Sequence, residues 1–176
     1  MATTIRVWDP FIRICHWTLV TVFTLNYFVL EPGDLPHEIL GYIAFGLILV
    51  RIVWGVIATN RAGFRHASFR KAAFSRHITE LKNRNVSKTH GHNPVGWLMV
   101  FLVIGLFTGL GVTGFMMEEI DAFWGNQTLQ GIHEWLAHTL YAAAIVHIVA
   151  VILTQWWGKV ALIPAMITGK RHIDNN

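Results

Sequence analysis

Four long apolar stretches, separated by polar segments, dominate the pattern of hydrophobic and polar positions. They cover residues 11–30, 36–58, 94–117 and 131–157, and each reaches the roughly 20 residues that a helix needs to cross the hydrocarbon core of a bilayer. The first is the least apolar because threonines and Asn26 interrupt it, but the interior of a helix bundle accepts such groups. The pattern predicts an all-α membrane protein, a bundle of four transmembrane helices in one domain covering residues 1–176.

Asp9-Pro10 and Asn93-Pro94 are helix start signals. In each pair an N-cap residue precedes a proline at the first helical position, where the missing N–H is no loss. The sequence therefore predicts helices that begin at residues 10 and 94.

The composition agrees with a membrane location and limits the chemistry. Hydrophobic residues make up 53% of the chain and charged residues 14%, against about 25% charged in soluble domains. Cys15 is the single cysteine, so the chain has no intrachain disulfide, no cysteine-ligated iron–sulfur cluster and no CxxCH site for covalent haem attachment.

The formal charge of +4 is distributed in a way that fits membrane orientation rather than nucleic-acid binding. The loop 59–93 is strongly basic, with Glu80 as its one acid, whereas the loops on the opposite side have five acids and no lysine or arginine: Glu31, Asp34, Glu118, Glu119 and Asp121. The positive-inside rule then places both termini and the loop 59–93 in the cytoplasm. Within this loop, residues 68–84 fit either a surface helix capped by Ser68 or a solvated segment.

Histidines inside the apolar stretches are the candidate functional residues. An ionisable side chain within a span is costly and indicates a functional site by default, although each one alone also fits a hydrogen-bonded packing role. With the predicted orientation, His37 and His133 lie toward the outer surface, and His16 and His147 lie toward the cytoplasm. Two membrane levels thus each receive two histidines from different helices.

The spacing of His133 and His147 indicates two stacked cofactors. They are 14 residues apart, four turns at the 3.5-residue period of a left-handed bundle, so both face one seam. At 1.5 Å per residue they are about 21 Å apart, which suits two haems in a core roughly 30 Å thick and excludes a dinuclear centre with metals about 4 Å apart. Two histidines on each iron would leave no open coordination position, so we expect electron transfer.

Gly41 and Arg51 are further candidates in the second helix. Gly41 lies on the same face as His37, where a missing side chain leaves room for a flat ring, and close helix packing is the alternative. Arg51 either pairs with a haem propionate at the cytoplasmic level or extends to the interface. The remaining histidines are assigned no ligand role. We expect His138 to be structural and the others to be solvated or interfacial: His66, His77, His90, His92 and His172.

Motifs over nearly the whole chain resemble bacterial cytochrome b561 and the b-type cytochrome subunit of nickel hydrogenases. They are Val7-Trp8-Asp9, Arg13-Ile14-Cys15-His16-Trp17, His37-x-x-x-Gly41, Gly91-His92-Asn93-Pro94-Val95-Gly96, Thr113-Gly114, and His133 with His147. The resemblance implies two non-covalent b-type haems, one bound by His16 and His147 on the cytoplasmic side and one bound by His37 and His133 on the outer side. It also implies a location among the lipids of a bacterial inner membrane.

By the same resemblance, we expect an electron-transfer protein of a respiratory chain rather than a stand-alone enzyme. It would link quinone to a partner such as a c-type cytochrome or another redox protein. A superoxide:quinone oxidoreductase is one alternative, disfavoured because the acidic outer loops would not attract an anion. A membrane-anchor subunit of a hydrogenase or dehydrogenase is another, although members that anchor hydrogenases tend to be longer than this chain. A haem-free transporter or proton relay explains neither the paired depths nor the 14-residue interval.

Overall fold

The computed structural model of the chain describes residues 2–84, 86 and 91–174. It is mostly helical, as the sequence predicts, and four long helices occupy the four apolar stretches. The elements in chain order are β1 (Ala2–Arg6), α1 (Pro10–Phe28), α2 (Leu35–Ile57), α3 (Lys71–Lys82), α4 (Pro94–Glu119), α5 (Gln127–Gly158), α6 (Ile163–Thr168) and β2 (Lys170–Asp174).

Three helices in the described part of the chain are long and apolar enough to cross a membrane, namely α2, α4 and α5. Large apolar side chains on these helices point outward, among them Val56 and Trp156, which are 72% and 73% exposed. Such a surface suits lipid better than water. Helix α1 has 19 residues, but its polar positions make it less apolar than the other three, and a fourth span remains a prediction.

The predicted helix starts at residues 10 and 94 are confirmed by their capping contacts. The Asp9 Oδ1 atom accepts a hydrogen bond from the Ile12 N–H at 2.9 Å, and Asn93 Oδ1 accepts one from the Gly96 N–H at 2.6 Å. Helix α5 begins earlier than its apolar stretch because Asn126 Oδ1 caps it, accepting from the Leu129 N–H at 3.0 Å.

The chain divides into two compact units, and α1, α2, α4 and α5 each contribute residues to both. The first unit contains Met1–Ile14, Val53–Val100 and Ile145–Asn176, and the second contains Cys15–Ile52 and Phe101–Ala144.

A small core and a two-stranded sheet define the first unit. Strands β1 and β2 pair antiparallel with Ile5 opposite Arg171. Gly169 ends α6 in the left-handed region at φ 78°, and its carbonyl accepts from the Val7 N–H at 2.9 Å. The core residues beside the sheet are Val7, Trp8, Ile12, Ala62 and Ala165. The sequence analysis did not anticipate these strands.

Helix α3 shows that the basic loop contains a helix rather than only a solvated segment. It begins after Arg70, which makes no side-chain capping bond, so the predicted cap at Ser68 is wrong. The Trp157 Nε1–H donates to the Leu81 carbonyl at 3.0 Å, and the Arg84 guanidinium lies 3.9 Å from the centroid of a Trp157 ring. The end of α3 is therefore fixed to the end of α5.

Candidate functional site

The rings of His37 and His133 lie close together in the second unit. His37 is in the first turn of α2 and His133 is near the start of α5, both are half-buried, and their ring centroids are 6.4 Å apart with the planes inclined at 57°. A metal–imidazole bond is about 2.0 Å long and a ring nitrogen lies roughly 1.1 Å from its centroid, so two rings on opposite sides of one metal have centroids about 6 Å apart. At the observed distance, His37 and His133 would be able to hold one metal between their rings.

A hydrogen-bond chain determines which nitrogen of His133 faces a metal. The Thr113 hydroxyl in α4 donates to the Gly109 carbonyl at 2.8 Å and approaches the Leu110 carbonyl at 3.2 Å. With its single proton directed to the Gly109 carbonyl, Thr113 Oγ1 accepts from His133 Nδ1, which lies 2.8 Å away. The proton of the neutral ring is on Nδ1, and Nε2 carries the lone pair that binds a metal. Histidine ligands of metals are typically held in this way by their second nitrogen.

Asn26 positions the helix that contains His37. The Asn26 amide on α1 donates from Nδ2 to the His37 carbonyl at 3.2 Å, which ties the end of α1 to the start of α2. The Nδ1 atom of His37 is buried and has no hydrogen-bond partner among the described residues. A buried ring nitrogen without a partner is what a ligand position offers before its metal is bound.

The glycines around this pair differ in what they face. A Cβ at Gly41 would meet nothing within 4 Å, and one at Gly114 would make an ordinary contact with His133 Cε1 at 3.6 Å. By contrast, a Cβ at Gly111 would overlap the Phe45 ring, and one at Gly109 would lie 3.0 Å from the Leu136 side chain. The last two glycines therefore serve close helix packing.

The other predicted pair, His16 and His147, is divided between the two units. His16 is half-buried in α1 with its ring edge-on to Trp17 at 5.3 Å, and it belongs to the second unit. His147 is half-buried in α5 and belongs to the first. Their pairing remains a prediction from the sequence. Arg51 is buried in α2, where a guanidinium is stable only beside polar or anionic groups.

The remaining histidines have roles that the sequence did not specify. His138 Nδ1 lies 2.7 Å from the Tyr27 hydroxyl, so it joins α5 to α1. His92 packs against Trp8 and Trp97 with its ring tilted to both, at centroid distances of 4.6 and 5.0 Å. His77 is only 7% exposed rather than solvated. His90 and the side chain of His172 lie outside the described residues.

Comparison with known proteins gives this arrangement a family. The ring contact of His37 and His133 joins α2 and α5, two apolar helices of membrane-spanning length. Residues 7–169 match the family of prokaryotic cytochrome b561, and the chain belongs to that family. Membership implies b-type haem, and it makes the protein a multi-pass membrane cytochrome that transfers electrons.

One relative is a Bradyrhizobium diazoefficiens protein named "Probable Ni/Fe-hydrogenase B-type cytochrome subunit". It is 25% identical over 215 aligned positions, which cover 96% of this chain and 86% of the relative. No solved structure was found to match the chain.

Proposed function

We propose that the protein binds two b-type haems through histidine pairs and transfers electrons across the bacterial inner membrane between quinone and a redox partner. His37 and His133 bind the outer haem, and His16 and His147 bind the cytoplasmic-side haem. Arg51 pairs with a propionate, and Gly41 leaves room for the ring. Helix α1 is the fourth span, and both termini are cytoplasmic.

The observation that carries the proposal is the 6.4 Å distance between the ring centroids of His37 and His133. It is supported by the Thr113 bond, which holds His133 with Nε2 as the metal-binding atom. Bound haem supplies an iron that cycles between two oxidation states. The chain's own part is to hold two neutral imidazoles, to exclude water with apolar helices and to leave no ligand position for a substrate.

The outer loops support a positively charged partner protein. Trp124 is 83% exposed and follows a group of acids on the same connection: Glu118, Glu119 and Asp121. Tyr42 donates to Glu119 Oε1 at 2.8 Å, which fixes that carboxylate at the end of α4. A basic c-type cytochrome fits this acidic surface, with charge mainly increasing the encounter rate.

A hydrogenase anchor is a second candidate, favoured by the printed name of the relative. Since the chain covers 86% of that relative, its length does not argue against this role. Co-purification of an iron- and nickel-containing partner would distinguish this candidate from a link to a soluble cytochrome.

Substitution of the proposed outer ligands tests the function. His37→Ala and His133→Ala should each remove the same redox component, because either change leaves one axial position empty. His138→Ala is a matched control on α5, since His138 contacts Tyr27 rather than the pair, and it should retain both components. Redox titration of the visible spectrum measures this. If His37→Ala and His133→Ala remove different components, the pairing is wrong.

A further inference from the structure

A cavity of about 140 Å³ with both polar and apolar walls lies within the first unit, beside the buried face of α3. A water needs roughly 10–15 Å³ of such space, so the cavity admits a group several times larger. Trp97, in the first turn of α4, and Thr154, near the end of α5, line it. The cavity therefore lies at the level where two helices of membrane-spanning length end.

Among the ionisable side chains of the lining, basic groups outnumber acids. It contains Arg76 and Arg171, the imidazoles of His66, His77 and His92, and one acid, Glu80. The Glu80 carboxylate lies 3.9 Å from both the Arg76 and the His77 side chains, so its charge is shared. The formal charge of the lining is positive even with every histidine neutral.

The hydrogen bonding of His77 leaves a donor with no acceptor. Asn93 Oδ1 accepts from the Gly96 N–H, which fixes the amide so that its Nδ2 faces His77 Nε2 at 3.0 Å. His77 Nε2 must therefore accept, and the ring proton is on Nδ1. That Nδ1 is buried and has no hydrogen-bond partner among the described residues, since the Glu80 Oε2 atom, at 3.9 Å, lies beyond hydrogen-bonding distance. Burial also lowers the pKa of His77, outweighing the opposing effect of Glu80, which keeps the ring neutral.

Arg171 adds a buried positive charge to the same wall. It is 2% exposed, and its pKa is lowered first by burial and then by the nearby Arg61 guanidinium. Arginine matches the geometry of phosphate oxygens, so a guanidinium in the lining suits a phosphate group.

We propose that this cavity binds a phosphate group, with His77 Nδ1–H, Arg76 and Arg171 as its donors. The group can belong to an anionic phospholipid of the adjacent leaflet or to free phosphate. The position of the cavity at the helix ends favours the lipid, because lipid headgroups lie at that level. The aromatic side chains of Trp156 and Trp157 are typical of the same membrane interface. The inference does not depend on the haem ligands.

The test measures phospholipid binding to the haem-loaded protein after lipid removal in detergent. Native mass spectrometry compares phosphatidylglycerol with zwitterionic phosphatidylcholine, and phosphorus NMR detects exchange of inorganic phosphate. Arg171→Gln and His77→Phe remove donors from the wall. Arg76→Gln removes one from the rim, where its side chain is 65% exposed, so it provides a variant that folds. Arg70→Gln removes the same charge from an exposed residue at the start of α3 that does not line the cavity.

We expect phosphatidylglycerol to bind more tightly than phosphatidylcholine. Since a hydrogen bond to a charged group contributes about 1.5–3 kcal/mol, Arg171→Gln and Arg76→Gln should weaken binding about tenfold or more, and Arg70→Gln should not. If inorganic phosphate displaces the lipid, the free ion is an additional ligand of the cavity. If the protein broadens the phosphorus NMR line of inorganic phosphate and binds neither lipid, the free ion is the sole ligand. Equal affinity for the two lipids with no phosphate exchange overturns the proposal. So does an equal loss in Arg70→Gln, or displacement by a neutral quinone analogue but not by phosphate.

Discussion

Replacing Thr113 by valine isolates the hydrogen bond that orients His133. Valine has nearly the same shape as threonine but neither accepts nor donates a hydrogen bond. The change leaves the ligand in place and removes both the 2.8 Å contact to His133 Nδ1 and the bond to the Gly109 carbonyl. Thr113→Ser keeps the hydroxyl and should restore the wild-type behaviour.

The expected magnitudes separate an effect on the cofactor from an effect on the fold. Hydrogen bonds between helices in membranes contribute about 0.6 kcal/mol on average, so the protein should remain folded. Loss of the group that orients a metal ligand typically lowers metal affinity or activity roughly 10- to 100-fold. The bond to Nδ1 also makes the imidazole more basic, which favours ferric iron, so its removal should raise the midpoint potential of the outer haem.

Haem content after dilution and redox titration measure these two effects. Thr108→Val is the matched control, because Thr108 lies on the same helix and its hydroxyl donates to the Ile104 carbonyl at 2.7 Å. It should change neither the affinity nor the potential. The reasoning is refuted if Thr113→Val retains wild-type affinity and potential, or if Thr108→Val produces the same change.

Three further outcomes are expected. His16→Ala and His147→Ala should each abolish the inner redox component and leave the outer one. If either variant instead loses the component that His37→Ala loses, the two-level assignment is wrong. Replacement by alanine should leave the haem content unchanged at each histidine outside the long helices: His66, His77, His90, His92 and His172. Loss of a haem in any of these variants would mean that a haem ligand lies outside the long helices. Electron transfer to a basic cytochrome c should slow as the Debye length falls from about 10 Å at 0.1 M salt to about 3 Å at 1 M. The outer acids are neutralised by the substitutions Glu118→Gln, Glu119→Gln and Asp121→Asn. If the transfer rate does not depend on salt, or does not change in these variants, the acids serve only to set the membrane topology.

Local signals in the sequence predicted the helices well because their causes are local. Asp9 and Asn93 cap helices through residues three positions later, and the apolar runs are continuous. The pairing of β1 with β2 was missed because it joins opposite ends of the chain. The cap at Ser68 was wrong, since α3 begins at Lys71 without a side-chain cap. The contacts of Leu81 and Arg84 with Trp157 join segments far apart in sequence and were not predicted.

In the candidate site, too, local sequence signals were predictive and contacts between distant segments were not. Periodicity and depth indicated His37 and His133 on one level, and the structure finds their rings 6.4 Å apart. The roles of Thr113 and Asn26 depend on contacts between helices, which a single sequence does not reveal. Thr113-Gly114 was part of the family motif, but nothing in the motif specified that its hydroxyl accepts from His133.

The haem content of the purified chain tests the central claim most directly. A pyridine haemochrome assay after extraction with acidified solvent should give two haems b per chain, all extractable because no thioether bond holds them. One haem per chain would contradict the two-level assignment, and none would contradict the proposed function altogether.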